Sequence, residues 1–398
     1  MPELRRLDAL DVSAKRVLLR VDLNVPLQNG KILDDTRVSR IIPTIEALLE
    51  RGASVVLLSH LGRPKGNKVA ELSLRPLRDA LAANLGEHEI TFVEDIVGDD
   101  ARAAAESLGR GSVLLLENLR FDPGEESNDP EFAQGLAQLG DAYVDDAFSC
   151  AHRAHASIDA LAKMLPAVAG LEMAHELDVL ETTLNAPERP LTAIIGGAKV
   201  STKIGVLEAL AKKVDALVIS GGMANTFLSA RGVNVGRSLC EYDQIATASA
   251  IEGTIAARDG RLILPSDVIV AHKLERDSAS ETVPAESVPP DSMILDIGPS
   301  SLADIELQIR ASRTLVWNGP LGAFEFPPFN RGTIAIATSA AEQTSAGQLT
   351  SVAGGGETLA AINQAGVSGQ FSYLSTAGGA FLEWLEGRAL PGVEVLYG

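Results

Sequence analysis

Two lysines beside a glycine turn have the chemistry to bind a polyphosphate. Gly196 and Gly197 follow the apolar run Leu191 to Ile195, and Lys199 and Lys203 come directly afterwards in the segment GGAKVSTK. Glycine lets the backbone approach a ligand closely, and a helix N-terminus adds partial positive charge. On a following helix, the four-residue spacing would put both ammonium groups on one face. The GxxxxGK[ST] spacing of a Walker A loop is absent, and an ordinary turn with two solvated lysines explains this segment equally well.

A second group of cationic side chains follows the predicted strands of the N-terminal half. Its members are Arg37, His60, Arg63, Arg120 and Arg153. A surface ion pair is the better explanation for any one arginine, but not for a whole set placed after strand ends. Guanidinium groups match phosphate and carboxylate geometry at two points, so the set predicts a small ligand with several negative charges. Asp22 and Asn24 can accept from, or donate to, a hydroxyl group on that ligand, whereas we expect structural roles for His152 and His155.

The sequence predicts that these residues are positioned by a parallel sheet with helices on both faces. In the N-terminal half, near-continuously apolar runs alternate with helical segments at 39–51 and 74–85. The predicted strands are 16–23, 53–60, 90–93, 112–118 and 142–148. Ligands of such sheets bind beyond the carboxyl ends of the strands, where the cationic residues stand.

The C-terminal half repeats this pattern after a predicted helix at 166–189. Five segments each read as a strand, a glycine-rich turn and a helix, and together their turns predict a wide pocket lined by backbone. They are 215–227, 261–271, 313–325, 350–362 and 371–385. We expect 274–290 to be a surface loop or short linker. A GxGxxG motif with a later acidic residue is missing, which counts against a dinucleotide site.

Composition and net charge exclude several classes of protein. The 398 residues are 46% hydrophobic and carry a formal net charge of -19, which argues against nucleic acid or an anionic membrane as a general partner. The two cysteines, Cys150 and Cys240, are too few for a disulfide framework. The N-terminus lacks an apolar signal segment, and no uninterrupted apolar run reaches about 18 residues. We therefore expect a cytoplasmic protein.

Ten segments in order give the chain a specific resemblance. They are RVDLNVP, SHLGRP, LENLRF, DAF with AHRAHAS, GGAKVSTK, GGMANTF, PSD, WNGPLGAFE, GGGETLAAI and STAGGAFLE. Along essentially its whole length the chain resembles the phosphoglycerate kinase family. The resemblance implies an α/β enzyme with two Rossmann-like parallel-sheet domains joined by an interdomain helix and hinge. It implies reversible phosphoryl transfer between 1,3-bisphosphoglycerate and MgADP, giving 3-phosphoglycerate and MgATP.

The resemblance also implies domain ranges and partners. It gives an N-terminal 3-phosphoglycerate-binding domain at 1–168, an interdomain helix at 169–188, a nucleotide-binding domain at 189–385 and a tail at 386–398 that returns to the first domain. We expect hinge bending at the turn of Ser375 and Thr376 and at the ends of the helix. The partners would be the small-molecule substrates, without nucleic acid or membrane, and the protein would be a monomer.

Site residues follow from the resemblance position by position. The glycerate ligand would be held by Asp22, Asn24, Arg37, His60, Arg63, Arg120 and Arg153. The nucleotide would be held by Gly197, Lys203, Gly221, Gly222, Asn318, Glu325, Gly355, Gly356, Glu357 and Thr358. Glu357 would face the Mg²⁺ of the nucleotide, where the family usually has the shorter aspartate, so the way it reaches the metal is open.

The chemistry needs no general base, because the reacting oxygen of the glycerate is an ionised carboxylate. It needs alignment of two anionic ligands and stabilisation of charge on the moving phosphoryl group. We expect Arg37, Lys199 and Lys203 to supply that charge. Two alternatives remain: a non-catalytic member of the same family, which Glu357 favours and the complete arginine set opposes, and a nucleotide-binding dehydrogenase, which the absent dinucleotide motif opposes.

Overall fold

The computed structural model describes residues 3–28 and 30–398, which divide into two compact units. The N-terminal unit comprises residues 3–178 and 389–398, and the C-terminal unit comprises residues 179–388. Residues 1, 2 and 29 of the predicted first domain lie outside the described residues. The substrate assigned to each unit stays a prediction at this stage.

The N-terminal unit contains a parallel sheet in the order β5-β6-β4-β1-β7-β8 and a small antiparallel ribbon of β2 and β3. Its strands are β1 (Arg16–Arg20), β2 (Leu27–Gln28), β3 (Lys31–Ile32), β4 (Ser54–Leu58), β5 (Ile90–Phe92), β6 (Val113–Leu115), β7 (Ala142–Asp145) and β8 (Ala167–Ala169). Its helices are α1 (Thr36–Glu50), α2 (Arg75–Leu85), α3 (Asp99–Glu106), α4 (Pro123–Glu126), α5 (Pro130–Ala137) and the start of α6 (Leu171–Leu184). The division between the units falls inside α6.

Burial explains why this sheet forms. Val17, Leu18 and Leu19 of β1 are fully buried, as parallel strands covered on both faces require. Ile45 of α1 and Leu77 of α2 belong to the same apolar core as the strand residues on one face. The apolar stripes of both helices therefore cover that face.

The C-terminal unit contains a parallel sheet in the order β11-β10-β9-β15-β16-β17 and an antiparallel sheet in the order β13-β12-β14. Its strands are β9 (Leu191–Ile195), β10 (Ala216–Ile219), β11 (Arg261–Ile263), β12 (Asp267–Ala271), β13 (Ser280–Pro284), β14 (Met293–Ile297), β15 (Thr314–Asn318), β16 (Thr350–Gly354) and β17 (Tyr373–Ser375). Its helices are α7 (Ile204–Ala211), α8 (Gly222–Ala230), α9 (Ile245–Ala256), α10 (Pro299–Ala311), α11 (Arg331–Ser345), α12 (Gly356–Gln364) and α13 (Gly379–Leu385).

The last residues of the chain, with α14 (Pro391–Glu394), belong to the N-terminal unit. Gly392 N–H donates to the carbonyl of Ala151 at 2.9 Å, and Leu4 pairs with Tyr397 in an antiparallel bridge.

The predicted helix at 166–189 is wrong at both ends. Ala167–Ala169 forms β8, which pairs with Tyr143–Asp145, and the helix covers only Leu171–Leu184. Gly170 lies between the two elements, and its backbone packs so closely against the carboxylate of Asp146 that a Cβ atom would overlap. A run as short as AVA fits a strand or a helix equally well, so its pattern could not distinguish them.

Three predictions in the C-terminal half are also wrong. The segment 261–271 forms two strands in different sheets, with Pro265 between β11 and β12, instead of one strand followed by a glycine turn and helix. The predicted loop at 274–290 contains β13, an edge strand of mostly exposed side chains whose pattern lacks an apolar face. After β15 the chain makes turns until α11 begins at Arg331.

The sheet orders place a switch point at the centre of each unit. β1 lies between β4 and β7, and β9 lies between β10 and β15. Neighbouring connections leave such a strand in opposite directions, which opens a crevice at its carboxyl end. Within the described part of the chain, no helix is long and apolar enough to cross a membrane.

Candidate active site

Asp22 occupies the crevice after β1 in the N-terminal unit. Its carboxylate accepts from Arg37 Nη1 at 2.5 Å, from the Asn24 backbone N–H at 2.9 Å and from the Ser149 hydroxyl. Burial alone would raise the pKa of Asp22, but the charge of Arg37 and these donors outweigh it, so the pKa lies below its ordinary value. Asp22 is therefore ionised at neutral pH and holds Arg37 at the carboxyl edge of the sheet.

His60 lies two residues beyond the end of β4 and is 3% exposed. Burial first, and then the charges of Arg20, Arg120 and Arg153, hold the pKa of this imidazole well below its ordinary value, although Asp22 opposes them. At neutral pH the ring is uncharged and stands among three guanidinium groups.

The loop after His60 contacts Arg120. Arg120 Nη1 donates to the carbonyl of Gly62 at 2.7 Å, and its Nε lies 3.3 Å from the carboxylate of Glu126. The Gly62 N–H donates to Asn24 Oδ1 at 2.9 Å, which ties this loop to the one after β1. Arg63, the next residue of the loop, is exposed.

Arg153 follows the 3-10 helix Phe148–Cys150 and is half-buried, with its Nε 3.0 Å from His152 Nε2. The structure thus gathers Arg37, Asp22, Asn24, His60, Arg120 and Arg153, and places Arg63 on the adjoining loop. His155 is buried, and burial together with Arg120, Arg20, Arg153 and His152 lowers its pKa to about 3.

One group of side chains here has the composition of a metal site. A ligand atom each of Asp22, His60 and Cys150 lies within 4.8 Å of the others. Arg37 already donates to Asp22, and Arg20 Nη2 stands 3.2 Å from His60 Nδ1. Guanidinium groups on these acceptor atoms suit a crevice for anions and oppose a cation.

In the C-terminal unit, Lys203 points back over the turn after β9. Its Nζ donates to the carbonyl of Gly196 at 2.6 Å and to that of Asn318 at 3.3 Å. Burial lowers the pKa of this ammonium group to about 8, although the carboxylate of Glu357 opposes the shift. These two hydrogen bonds hold the Lys203 ammonium group at the carboxyl ends of β9 and β15.

The predicted shared helical face of Lys199 and Lys203 is wrong. The chain makes a 3-10 turn at Val200–Thr202, and α7 begins only at Ile204. Lys199 precedes the 3-10 turn and is exposed, whereas Lys203 immediately precedes α7 and is half-buried. The Thr202 hydroxyl donates to the carbonyl of Lys199 at 2.8 Å, and this local bond competes with an earlier α-helix start.

The glycine turns pack against one another with no room for side chains. A Cβ atom on Gly196 would overlap the carbonyl oxygen of Pro320, and one on Gly222 would lie 2.6 Å from that of Ala198. Gly221 has a φ of +66°, and its Cβ would lie 2.8 Å from the Gly197 carbonyl. The turns after β9, β10 and β15 therefore meet closely at one edge of the sheet, whereas the predicted pocket formed by five turns is not found as such.

A cleft of about 290 Å³ opens beside these turns. Gly197, Gly221, Gly222, Glu325 and Glu357, five of the ten residues predicted for the nucleotide site, line it, and their contact with a nucleotide stays a prediction. Its other wall is apolar and was not predicted; that wall includes Leu239, Leu274, Met293, Leu295 and Phe324. Leu239 and Leu274 are 49% and 43% exposed, but the sequence shows no pattern that distinguishes them from core leucines.

Asn318 and Thr358 are buried and hold the turns together. Asn318 Nδ2 donates to the Gly354 carbonyl at 2.6 Å, and the Gly319 N–H donates to Thr358 Oγ1 at 2.7 Å. Gly355 allows this contact, since a Cβ there would lie 2.7 Å from Asn318 Nδ2. Gly356 is exposed at the start of α12. The predicted nucleotide contacts of these four residues stay predictions.

Comparison with known proteins identifies the family. A family model described as phosphoglycerate kinase matches residues 7–388. Phosphoglycerate kinase of Ruegeria sp. (strain TM1040) is 56% identical over 392 residues, which are 98% of this chain and 99% of that protein. The chain belongs to the phosphoglycerate kinase family. The enzyme of Methylorubrum extorquens (strain PA1) is also 56% identical, over 100% of this chain and 99% of its own length.

Solved structures agree with this family. Phosphoglycerate kinase from Coxiella burnetii has a TM-score of 0.91 and 41% identity, over 99% of this chain and 98% of that one. The enzyme from Pyrococcus horikoshii OT3 has a TM-score of 0.83 and 30% identity, over the same shares. The predicted family and α/β fold class are confirmed, and the protein is a kinase of glycolysis that catalyses a reversible reaction.

Sequence reasoning missed Arg20. This residue ends β1, is fully buried, and contacts His60 through its Nη2. A charged residue inside the apolar run RVLLRVDL was the available signal, because charged side chains are almost never fully buried unless paired.

Proposed function

We propose that the crevice of the N-terminal unit binds 3-phosphoglycerate or 1,3-bisphosphoglycerate, and that the cleft of the C-terminal unit binds ADP or ATP. The gathering of Arg37, Arg120 and Arg153 around Asp22 and the neutral ring of His60 carries the proposal. In a chain of net charge -19, such a local set of cations is suited to a small, multiply charged anion. Asp22 and Asn24 provide acceptors for the glycerate hydroxyl, and Arg63 stands at the rim for its phosphate.

Transfer proceeds by charge stabilisation without a general base. The attacking oxygen of 3-phosphoglycerate belongs to an ionised carboxylate, so no proton has to leave it. Arg37, Lys199 and Lys203 offset the negative charge that accumulates on the moving phosphoryl group. Lys203 is already oriented by two carbonyl oxygens, and such preorganisation spares reorganisation during the reaction.

The residues of the cleft fit a magnesium nucleotide. Glu357 stands in the first turn of α12, is exposed, and lines the cleft with a carboxylate of the kind that Mg²⁺ binds. Mg²⁺ would neutralise charge on the nucleotide phosphates. Gly197, Gly221 and Gly222 let the phosphates approach the backbone, and the apolar wall suits the base.

Hinge bending completes the proposal. Bringing the two substrates together excludes water, which would otherwise hydrolyse the acyl phosphate. We place the hinge at Ser375, Thr376 and the ends of α6. The enzyme acts as a cytoplasmic monomer on small molecules, without nucleic acid; its acidic charge and its membership of a glycolytic family support this.

A coupled assay tests the proposed function. ATP and 3-phosphoglycerate are supplied, and the 1,3-bisphosphoglycerate formed is reduced with glyceraldehyde-3-phosphate dehydrogenase while NADH is followed. We expect NADH oxidation that requires both substrates and Mg²⁺. No signal from a folded protein would favour a non-catalytic relative; membership of the phosphoglycerate kinase family already excludes the dehydrogenase. Lys212→Ala, at an exposed lysine just beyond α7, is the matched control for the lysine variants.

A further inference from the structure

Arg20 is a fully buried guanidinium group with a defined set of partners. Its Nε donates to the Ser157 hydroxyl at 2.9 Å, its Nη1 to the carbonyl of Val21, and its Nη2 stands 3.2 Å from His60 Nδ1. Burial alone would lower the pKa of Arg20, but nearby groups that include Cys150 and Glu125 outweigh it and raise the pKa. Arg20 therefore stays charged.

The direction of the hydrogen bond to His60 follows from this chemistry. A guanidinium group has five N–H donors and no acceptor, so His60 Nδ1 has to accept. A neutral imidazole that accepts at Nδ1 carries its proton on Nε2. Among the described residues, none forms a hydrogen bond with that Nε2.

Ser157 fixes the orientation of Arg20. Its hydroxyl donates its single proton to Glu125 Oε1 at 2.6 Å, so it can only accept from Arg20. The Ser157 backbone N–H donates to Glu125 Oε2 at 2.9 Å, and the Tyr143 hydroxyl donates to the Ser157 carbonyl at 2.7 Å. The guanidinium group cannot turn away from His60 without breaking its own bonds to the Ser157 hydroxyl and the Val21 carbonyl.

The surroundings of His60 oppose a second proton on the ring. Charged or titratable groups face it from β1 and its following loop, from the 3-10 helices Leu119–Phe121 and Phe148–Cys150, and from the loop beyond. They are Arg20, Asp22, Arg120, Cys150 and Arg153. Three of the five are cations, whereas Asp22 already has Arg37 as its partner. An imidazolium would place a fourth positive charge in a buried site.

We propose that Arg20 is a positioning residue that holds His60 as the neutral tautomer protonated on Nε2, so that His60 always presents a hydrogen-bond donor to bound phosphoglycerate. The inference rests on the proposed function in one respect, that the crevice binds phosphoglycerate. It adds that recognition by His60 does not change with pH, because the ring keeps one state throughout the physiological range.

Nuclear magnetic resonance of the unmodified enzyme tests this directly. Long-range ¹H–¹⁵N spectra of ¹⁵N-labelled protein distinguish the two tautomers, and His60→Gln assigns the His60 signals. We expect the Nε2–H pattern, unchanged from about pH 5.5 to 8.5, with and without 3-phosphoglycerate. An Nδ1–H pattern, or titration of His60 within that range, would overturn the proposal without any variant of Arg20.

Variants of Arg20 then separate positioning from packing. Arg20→Lys keeps a charged donor, and Arg20→Met keeps similar bulk without one. We expect Arg20→Met to mix the His60 tautomers, to make the ring titrate, and to raise KM for 3-phosphoglycerate roughly ten- to hundredfold with a smaller change in kcat, the loss that one charged hydrogen bond represents. Arg20→Lys should restore part of both effects. A folded Arg20→Met enzyme with the Nε2–H pattern intact would contradict the role.

The outcomes distinguish this inference from the proposed function. An inactive wild-type protein that shows the Nε2–H pattern would contradict the proposed function alone. An active enzyme whose His60 titrates would contradict the positioning role alone. If Arg20→Met fails to fold, the wild-type spectra still decide.

Discussion

At the residue scale, Lys203 combines a half-buried ammonium group with a position at the carboxyl ends of β9 and β15, next to Gly197 of the proposed nucleotide cleft. Burial lowers its pKa to about 8 from an ordinary value of 10.5. As the pH rises through about 8, the free enzyme loses this positive charge, and a neutral amine cannot offset phosphate. We therefore predict that kcat/KM for ADP falls above pH 8 in a profile measured from pH 6.5 to 9.5. A flat profile, with the coupling enzymes shown not to limit, would contradict it.

Glu357 affects the pKa of the Lys203 ammonium group. Its carboxylate is the charge that raises the pKa of Lys203 against the effect of burial. Glu357→Gln removes that charge with little change in shape, so we predict that the alkaline limb of the profile moves to lower pH. Glu357→Asp keeps the charge and should keep the limb and the Mg²⁺ dependence near the wild-type values. A limb that does not move in Glu357→Gln would show that Lys203 does not determine it.

Arg63 differs from the other arginines in being exposed at the rim of the crevice. We predict that Arg63→Ala raises KM for 3-phosphoglycerate by about tenfold, the loss of one charged hydrogen bond, and changes kcat less. Arg102→Ala, in an exposed ion pair on α3, is the matched control and should leave both constants unchanged. Titration of 3-phosphoglycerate that is the same in both variants would remove Arg63 from the site.

At the element scale, the turn after β9 depends on the absence of a side chain at Gly196. A Cβ atom there would overlap the backbone of Pro320, which cannot move like a flexible side chain. We predict that Gly196→Ala destabilises the protein by about 2–3 kcal/mol, measured by denaturant unfolding followed in the C-terminal unit. Gly253→Ala, in α9 with open space around it, is the control and should be neutral or slightly stabilising. Equal stability of the two variants would contradict the tight packing of these turns.

The sequence predicted strands correctly where an apolar run indicated a buried strand. β1, β4, β9 and β16 are apolar runs that end in polar or glycine residues, so the sequence predicted both the strands and the polar groups at their ends. Lys199 and Lys203 were misplaced because a 3-10 turn and an α-helix start share the same local pattern. The sequence could not predict the role of Arg20. Its acceptor Ser157, and Glu125 to which Ser157 donates, lie more than a hundred residues away along the chain.

At the scale of the whole molecule, the sequence predicted two α/β halves, and the structure has two compact units, each with its own parallel sheet. It did not predict the antiparallel sheet of β12, β13 and β14, because exposed β13 has no alternating apolar pattern. The apolar wall of the cleft in the C-terminal unit was missed for a related reason: its residues come from separate segments and share no spacing.

Hinge bending makes a prediction for the whole enzyme in solution. We expect the radius of gyration from small-angle X-ray scattering to decrease when 3-phosphoglycerate and a non-hydrolysable MgATP analogue are both present. Either ligand alone should have a smaller effect, since each occupies only one of the proposed sites. A radius of gyration that is unchanged at saturation with both ligands would contradict closure.

In the proposed mechanism, fixed positive charge, and no general base, carries the phosphoryl transfer. The decisive measurement is kcat at saturating substrates for Arg37→Ala and Lys203→Ala, with Lys212→Ala as the control and circular dichroism to verify folding. We predict that each of the first two lowers kcat by about a hundredfold or more, as the removal of preorganised charge does in other enzymes, while the control retains it. A near-normal kcat in a folded Arg37→Ala or Lys203→Ala enzyme would contradict this mechanism.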